Sequence, residues 1–200
     1  MTKSSFIISL LLGIFLSGMV VALLVHDAEY IFTGETVNLN EVLESGEEMP
    51  RDKYVTYTCS YPLGNYAETK QTISGVIPLP FKSQQYSLLC ENGIIISAEV
   101  SKKAKIEELD EAIDKAYDGE TVSVTLTGCL ITNNPEMNGY LSEFLAAVGI
   151  DMENSELQQT YYLIDTTKTR LSLIMTYTLL FVLGLFIIIV DIKKYRGASV

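Results

Sequence analysis

The sequence predicts a membrane-tethered protein: an extracytoplasmic α+β domain on a mainly antiparallel sheet, flanked by two transmembrane helices. Three observations carry this. Leu171–Val190 is twenty residues without Asp, Glu, Lys, Arg or His. Phe6–Val25 is a second such run near the other end. A helix of that length rises about 30 Å, the thickness of a bilayer's hydrocarbon core. Between the runs, strand-like segments and an Asn-Gly hairpin are followed by helix, strand, helix and strand, an order of the α+β class. The expected organisation is therefore residues 1–26, 27–170 and 171–200, with the middle segment as one domain.

In the first apolar run, Ser9, Gly13 and Ser17 are spaced four apart and share a helical face. Small residues at that spacing let another membrane helix approach closely. Gly184 of the second run is expected at similar depth; the same stripe on a second copy is the rival partner. Neither run holds an acidic or basic residue, which speaks against a proton path or voltage sensor. Basic residues near the ends set the topology. Lys3 precedes the first run and Lys193, Lys194 and Arg196 follow the second, whereas no Lys or Arg separates the first run from Arg51. Both tails are thus expected in the cytoplasm and residues 27–170 outside. Lys168 and Arg170 oppose this, but their stems can snorkel to the interface. A cleavable signal peptide fits poorly, because a cut after Ala28 would need a small residue where His26 stands.

Along the middle segment, 27–53 is acidic and aperiodic, with a short helix opening at Glu41–Leu43. Tyr54–Cys59 is rich in aromatic and β-branched residues and predicts a strand. Pro62-Leu63-Gly64-Asn65 is expected to break it, with a second strand between Tyr66 and Ile77 that includes Gly75, and extended backbone around Pro78 and Pro80. Gln85–Glu91 and Ile94–Val100 flank Asn92-Gly93, the pair suited to a two-residue type I′ turn. Tyr86, Leu88 and Cys90 should share a face, as should Ile94, Ile96 and Ala98.

Ile106, Leu109, Ile113 and Ala116 or Tyr117 then recur at helical spacing over 101–117, with Gly119 as terminator. Thr121–Ile131 returns to strand. Asn134-Pro135 predicts a capped helix start ahead of Tyr140 or Leu141, Phe144, Leu145 and Val148. A polar loop over 151–155 leads to a last strand at Thr160–Asp165. A small, partly closed barrel of the oligonucleotide- or oligosaccharide-binding type is one form this order can take, with the Tyr54 and Tyr66 segments as a single bent first strand.

The chain has 14 basic and 25 acidic residues, a net of -11. Lys3, Lys193, Lys194, Arg196 and Asp191 lie outside 27–170, leaving ten basic and 24 acidic residues within it. Such a segment repels nucleic acid and anionic lipid headgroups. Cys59, Cys90 and Cys129 allow at most one internal disulfide. Each sits in an apolar or β-like run, where a free thiol serves as a small hydrophobe. No C-x-x-C pair occurs and the single His is His26, so no metal site and no cofactor are expected. Sequence fingerprints for nucleotides, nucleophilic serine or zinc hydrolysis are absent. Tyr57, Tyr61, Tyr66 and Tyr86 are the ligand-binding candidates, weighed against plain packing of tyrosine in strands. The helix-packing candidates are Ser9, Gly13, Ser17 and Gly184.

Gly64-Asn65-Tyr66-Ala67-Glu68, the Tyr86–Val100 hairpin and Tyr161-Tyr162-Leu163-Ile164-Asp165 resemble uncharacterised double-spanning membrane proteins of Gram-positive-type bacteria. The resemblance implies a bacterial plasma membrane and an extracytoplasmic α+β domain, without a substrate or catalytic residues. The expected function is a non-enzymatic, membrane-anchored binding or accessory protein of the cell envelope. Its partners would be the lipid bilayer and another membrane protein or a second copy. A subunit of an oligomeric pore or transport complex is the alternative; an envelope enzyme stands third.

Overall fold

The computed structural model describes residues 3–73, 77–152 and 155–197. The chain divides into two compact units, one of Met1–Glu35 with Thr169–Val200, the other Thr36–Lys168. In the first, α1 (Lys3–His26) packs against α6 (Arg170–Gly197), and α2 (Ala28–Thr33) is a short helix after α1. Phe6–His26 and Arg170–Lys194 are both long and apolar enough to cross a membrane. Most of their apolar residues are exposed, with Val20, Leu173 and Tyr177 among the few that are buried. Unlike the bare apolar run, α6 extends past Val190 and carries Asp191, which is buried.

The second unit is a seven-stranded sheet in the order β1-β2-β6-β7-β5-β4-β3. Its strands are β1 (Val37–Asn38), β2 (Tyr54–Cys59), β3 (Tyr61–Ile73), β4 (Ile77–Leu89), β5 (Ile94–Val100), β6 (Val124–Thr132) and β7 (Gln158–Asp165). The helices are α3 (Leu39–Ser45), α4 (Lys103–Tyr117) and α5 (Pro135–Ala147). The sheet is mixed: four of its six strand pairs are antiparallel, while β1 runs parallel to β2 and β5 parallel to β7. The parallel β5/β7 pair follows from the long route through α4, β6 and α5 that separates the two strands. The ladder does not close into a barrel: β1 and β3 stand at its two ends.

The sheet is nonetheless strongly curled. Ser60 alone joins β2 to β3, although four other strands lie between them in the ladder order. The Tyr57 hydroxyl on β2 also reaches the Cys90 thiol at the end of β4. Four strand spacings of about 4.8 Å would put β2 and β4 roughly 19 Å apart in a flat sheet, far beyond the reach of a tyrosine. The concave face holds the main core: Tyr57, Tyr86, Leu88, Ile96, Leu126 and Leu130 with α3 and α4 residues such as Leu39 and Leu109. The opposite face packs Ile95 under Leu141 and Leu145 of α5.

Several local expectations are corrected. Pro62 and Gly64 do not end a strand; β3 runs through them with register shifts at Pro62/Gly64, Asn65/Ala67 and Lys70/Thr72. As the last strand of the ladder, β3 tolerates a proline and bulges that an inner strand would not. Gly64 holds φ +150°, with Phe144 of α5 where its side chain would be. Pro78 and Pro80 lie within β4, in the arm before Gln84 where β5 has not yet begun to pair. Gly75 lies outside the described residues, as do two residues of the 151–155 loop. The hairpin is made by three residues, not two. Gly93 N–H donates to the Cys90 carbonyl (2.9 Å) and Cys90 N–H to the Ile94 carbonyl (2.7 Å). Only Gly93 is left-handed, at φ +80°, the arrangement of a type I turn closed by a glycine bulge. The Asn92 amide is meanwhile spent on the Leu43 carbonyl at the end of α3. α2 and β1, within the aperiodic lead-in, have no counterpart in the expectations. Asn134 caps α5, its Oδ1 accepting from Glu136 N–H at 3.0 Å with Pro135 at the first helical position.

Candidate functional site

The four strand tyrosines do not converge. Tyr57 is 2% exposed; its hydroxyl donates to Cys90 Sγ at 3.2 Å. Burial, then the neighbouring Cys90 and Cys59, drives that hydroxyl's pKa far upward. Burial likewise pushes the thiols up, Cys59 to about 12 and Cys90 to about 11. All three cysteines are buried and outside any disulfide, and Cys59 and Cys90 are kept as neutral thiols rather than nucleophilic thiolates. The Tyr86 ring is fully buried, with its hydroxyl between Gln84 Oε1 (2.6 Å) and Asp110 Oδ1 (2.8 Å). Desolvation, then the Asp110 carboxylate, raises it.

Tyr66 lies on the opposite face, half-buried, its ring beside Phe144 at 6.4 Å between centroids. Its hydroxyl sits 2.6 Å from Gln85 Oε1 and 2.8 Å from Ser97 Oγ, and accepts from Asn133 Nδ2 at 3.1 Å. This is a neutral hydrogen-bond network inside the protein. Ser87 Oγ and Asn138 Oδ1, both buried, have no hydrogen-bond partner among the described residues. Among the described residues no group of three or more His, Cys, Asp or Glu is placed to hold a metal ion.

Tyr61 differs from the other three. It is 53% exposed at the start of β3, the last strand of the ladder. Tyr117, 69% exposed at the end of α4, donates its hydroxyl to the carbonyl of Leu63, two residues along from Tyr61. That bond ties the exposed Tyr117 ring to the strand that carries Tyr61. The sequence placed Tyr117 only as a possible member of the apolar face of α4. Its role on the surface follows from the crossing of α4 over β3, which no local periodicity encodes.

In the first unit, Gly13, Ser17 and Gly184 meet. A side chain at Gly184 would press on Ser17 Oγ and on the Gly13 carbonyl, and one at Gly13 on Ile188 and the Gly184 carbonyl. The backbones touch because neither position has a Cβ. Ser9, one turn before Gly13, is half-buried. Beyond the sequence candidates, the Tyr177 hydroxyl donates to the Asp27 carboxylate, whose other oxygen lies 2.9 Å from His26 Nδ1. Arg170 Nε donates to the Ile31 carbonyl at 2.5 Å and Nη2 to that of Phe32 at 3.0 Å, pinning α2 to the start of α6. Asp27 and Arg170 stand just outside the two charge-free runs, so a search for ionisable residues within those runs passes over both.

No curated protein and no solved structure matches the chain. A family model does match, over residues 1–193, and therefore spans both units: the chain belongs to DUF8577, a domain of unknown function.

Proposed function

We propose that this is a two-pass membrane protein of the cell envelope whose extracytoplasmic unit binds another protein, as a non-enzymatic accessory component. The observation that carries the binding reading is the paired exposure of Tyr61 and Tyr117. Tyrosine is enriched at protein interfaces because its ring offers a large contact area at small entropic cost. Packing of α1 on α6 through Gly13 and Gly184 supports two helices crossing together. The basic residues in the last turns of α6 and the strongly acidic middle segment support cytoplasmic tails with residues 27–170 outside.

The curled sheet supports a partly closed barrel. Read with β2 and β3 as one strand bent at Ser60, the order becomes cyclic: bent strand, β4, β5, β7, β6 and back. A parallel β5/β7 pair and a helix between β5 and β6 belong to the oligonucleotide- or oligosaccharide-binding barrel. Fold likeness supplies no ligand. Here α5 lies across the outer face of β3, β4 and β5, so the binding reading rests on the tyrosine edge instead.

The test is cross-linking of the full-length protein in its native membrane, followed by purification. A defined partner should be recovered with the wild type and with Tyr140→Ala, and lost with Tyr61→Ala/Tyr117→Ala. Equal recovery with the double variant would end the reading. Topology is tested separately with an impermeant thiol reagent on intact cells. Ser101→Cys should be labelled, and Lys194→Cys only after permeabilisation.

A further inference from the structure

α1, α2 and α6 enclose an apolar groove of about 590 Å³, at the His26 end of α1 and the Arg170 end of α6. Val21, Leu24, Phe32, Ile174, Thr178 and Phe181 line it, with Arg170 at its rim. The Ile31 and Phe32 carbonyls hold the guanidinium in one orientation without neutralising it. Among the described residues no carboxylate pairs with Arg170, and its Nη1 makes no hydrogen bond. The nearby Asp27 carboxylate is taken up by Tyr177 and His26. From Arg170 to Phe181 the helix rises about 16 Å, against about 15 Å for one leaflet of hydrocarbon. The site thus combines an apolar slot one leaflet deep with a fixed, uncompensated cation at its mouth, a local exception to the net negative charge by which residues 27–170 as a whole repel anionic lipid.

We propose that this groove holds one acyl chain of a bilayer phospholipid with a net negative headgroup, whose phosphodiester is bound by the free side of the Arg170 guanidinium. Arginine's planar fork matches phosphate oxygens, and here its orientation is set in advance. A zwitterionic headgroup offers the same phosphate but brings its own cation, so it is the weaker ligand. The inference rests on the two-span reading.

The test is native mass spectrometry of full-length protein reconstituted from vesicles of mixed phosphatidylglycerol and phosphatidylcholine, then exchanged into detergent. The wild type should retain one phospholipid per chain, with the anionic lipid enriched about fivefold over its share of the vesicle, the effect of one basic residue at a charged surface. Arg170→Gln should keep a lipid but lose the enrichment. Thr178→Trp, which fills the groove, should lose the lipid; Val21→Trp fills it from the facing helix should the first variant misfold. Retention unaffected by both tryptophans, or enrichment unaffected by Arg170→Gln, overturns the proposal. Alkaline carbonate extraction separates the two levels. A protein that leaves the membrane overturns the spanning reading and the groove together, whereas one that stays but retains no lipid overturns the groove alone.

Discussion

Adding one methyl group to two different glycines should move stability in opposite directions. At Gly128 on β6 a Cβ would lie 2.5 Å from the Asp165 carbonyl oxygen, 2.7 Å from its carbon and 2.9 Å from Thr166 N. All three are backbone atoms, so nothing can rotate away. Reaching the 3.4 Å of an ordinary contact requires a shift of 0.9 Å. Asp165 is poorly placed to give it. It pairs with Cys129 and Glu99, and its carboxylate accepts from Thr167 N–H at 2.9 Å. Overpacking of this kind costs about 1–3 kcal/mol, and partial loss of a ladder bond about 1 kcal/mol more.

Gly128→Ala should thus destabilise by about 3 kcal/mol, lowering the melting temperature by roughly 6–12 °C at this chain length. Gly139 sits in the middle of α5 with open space at its Cβ position. There Gly139→Ala should stabilise by about 0.5–1 kcal/mol, through helix propensity alone. Thermal unfolding of the full-length protein in detergent, followed by circular dichroism in the β region, reads both. Equal shifts, or a harmless Gly128→Ala, would refute the reasoning from backbone proximity.

Three further predictions follow from the same structure. Ser17→Cys/Gly184→Cys should cross-link within one chain under mild oxidant, because these positions are in contact; a dimer on a denaturing gel in place of that product would favour the stripe as a contact between copies. Leu145→Ala, at a fully buried position on the inner face of α5, should cost about 2–5 kcal/mol in denaturant unfolding. The raised thiols make stability fall with alkaline pH. An unfolded cysteine loses its proton near pH 9 while folded Cys90 and Cys59 hold theirs to about 11 and about 12. Stability is then complete below pH 9 and lost as pH rises through 11–12, by on the order of 2–3 kcal/mol for Cys90. Cys90→Ala should flatten that alkaline slope in a pH series of urea titrations.

What could be read in advance depended on whether the signal was local. Asn134-Pro135 starts a helix wherever it lies, because cap and ring need only their own backbone. The alternation of Ile94–Val100 likewise shows directly, with Ile96 and Ala98 in the main core and Ile95 beneath α5. Strand β3 was illegible at its start, since Pro62 and Gly64 are breakers everywhere except on a terminal, bulged strand. The Asn92-Gly93 turn takes one residue more than the pair alone dictates, because the Asn92 side chain has a tertiary partner, Leu43. Among the tyrosines, Tyr57 and Tyr61 are alike in composition and context. What separates an interior hydroxyl on Cys90 from a ring in water is the bend at Ser60. Tyr117 entered the surface through a contact 54 residues away in sequence.

The place of β7 in the ladder has a consequence for how the protein is made. It is the last strand synthesised, yet it lies between β6 and β5 and is hydrogen-bonded to both. Until residues 158–165 have emerged, the earlier strands are two separate ribbons, β1-β2-β6 and β5-β4-β3, each with a long unprotected edge. Such distant pairings are slow to form and expose strands to aggregation meanwhile. Maturation should therefore be all-or-nothing and late: a nascent chain arrested before Gln158 should remain protease-sensitive from β2 onward, and one arrested a few dozen residues later should become resistant in a single step.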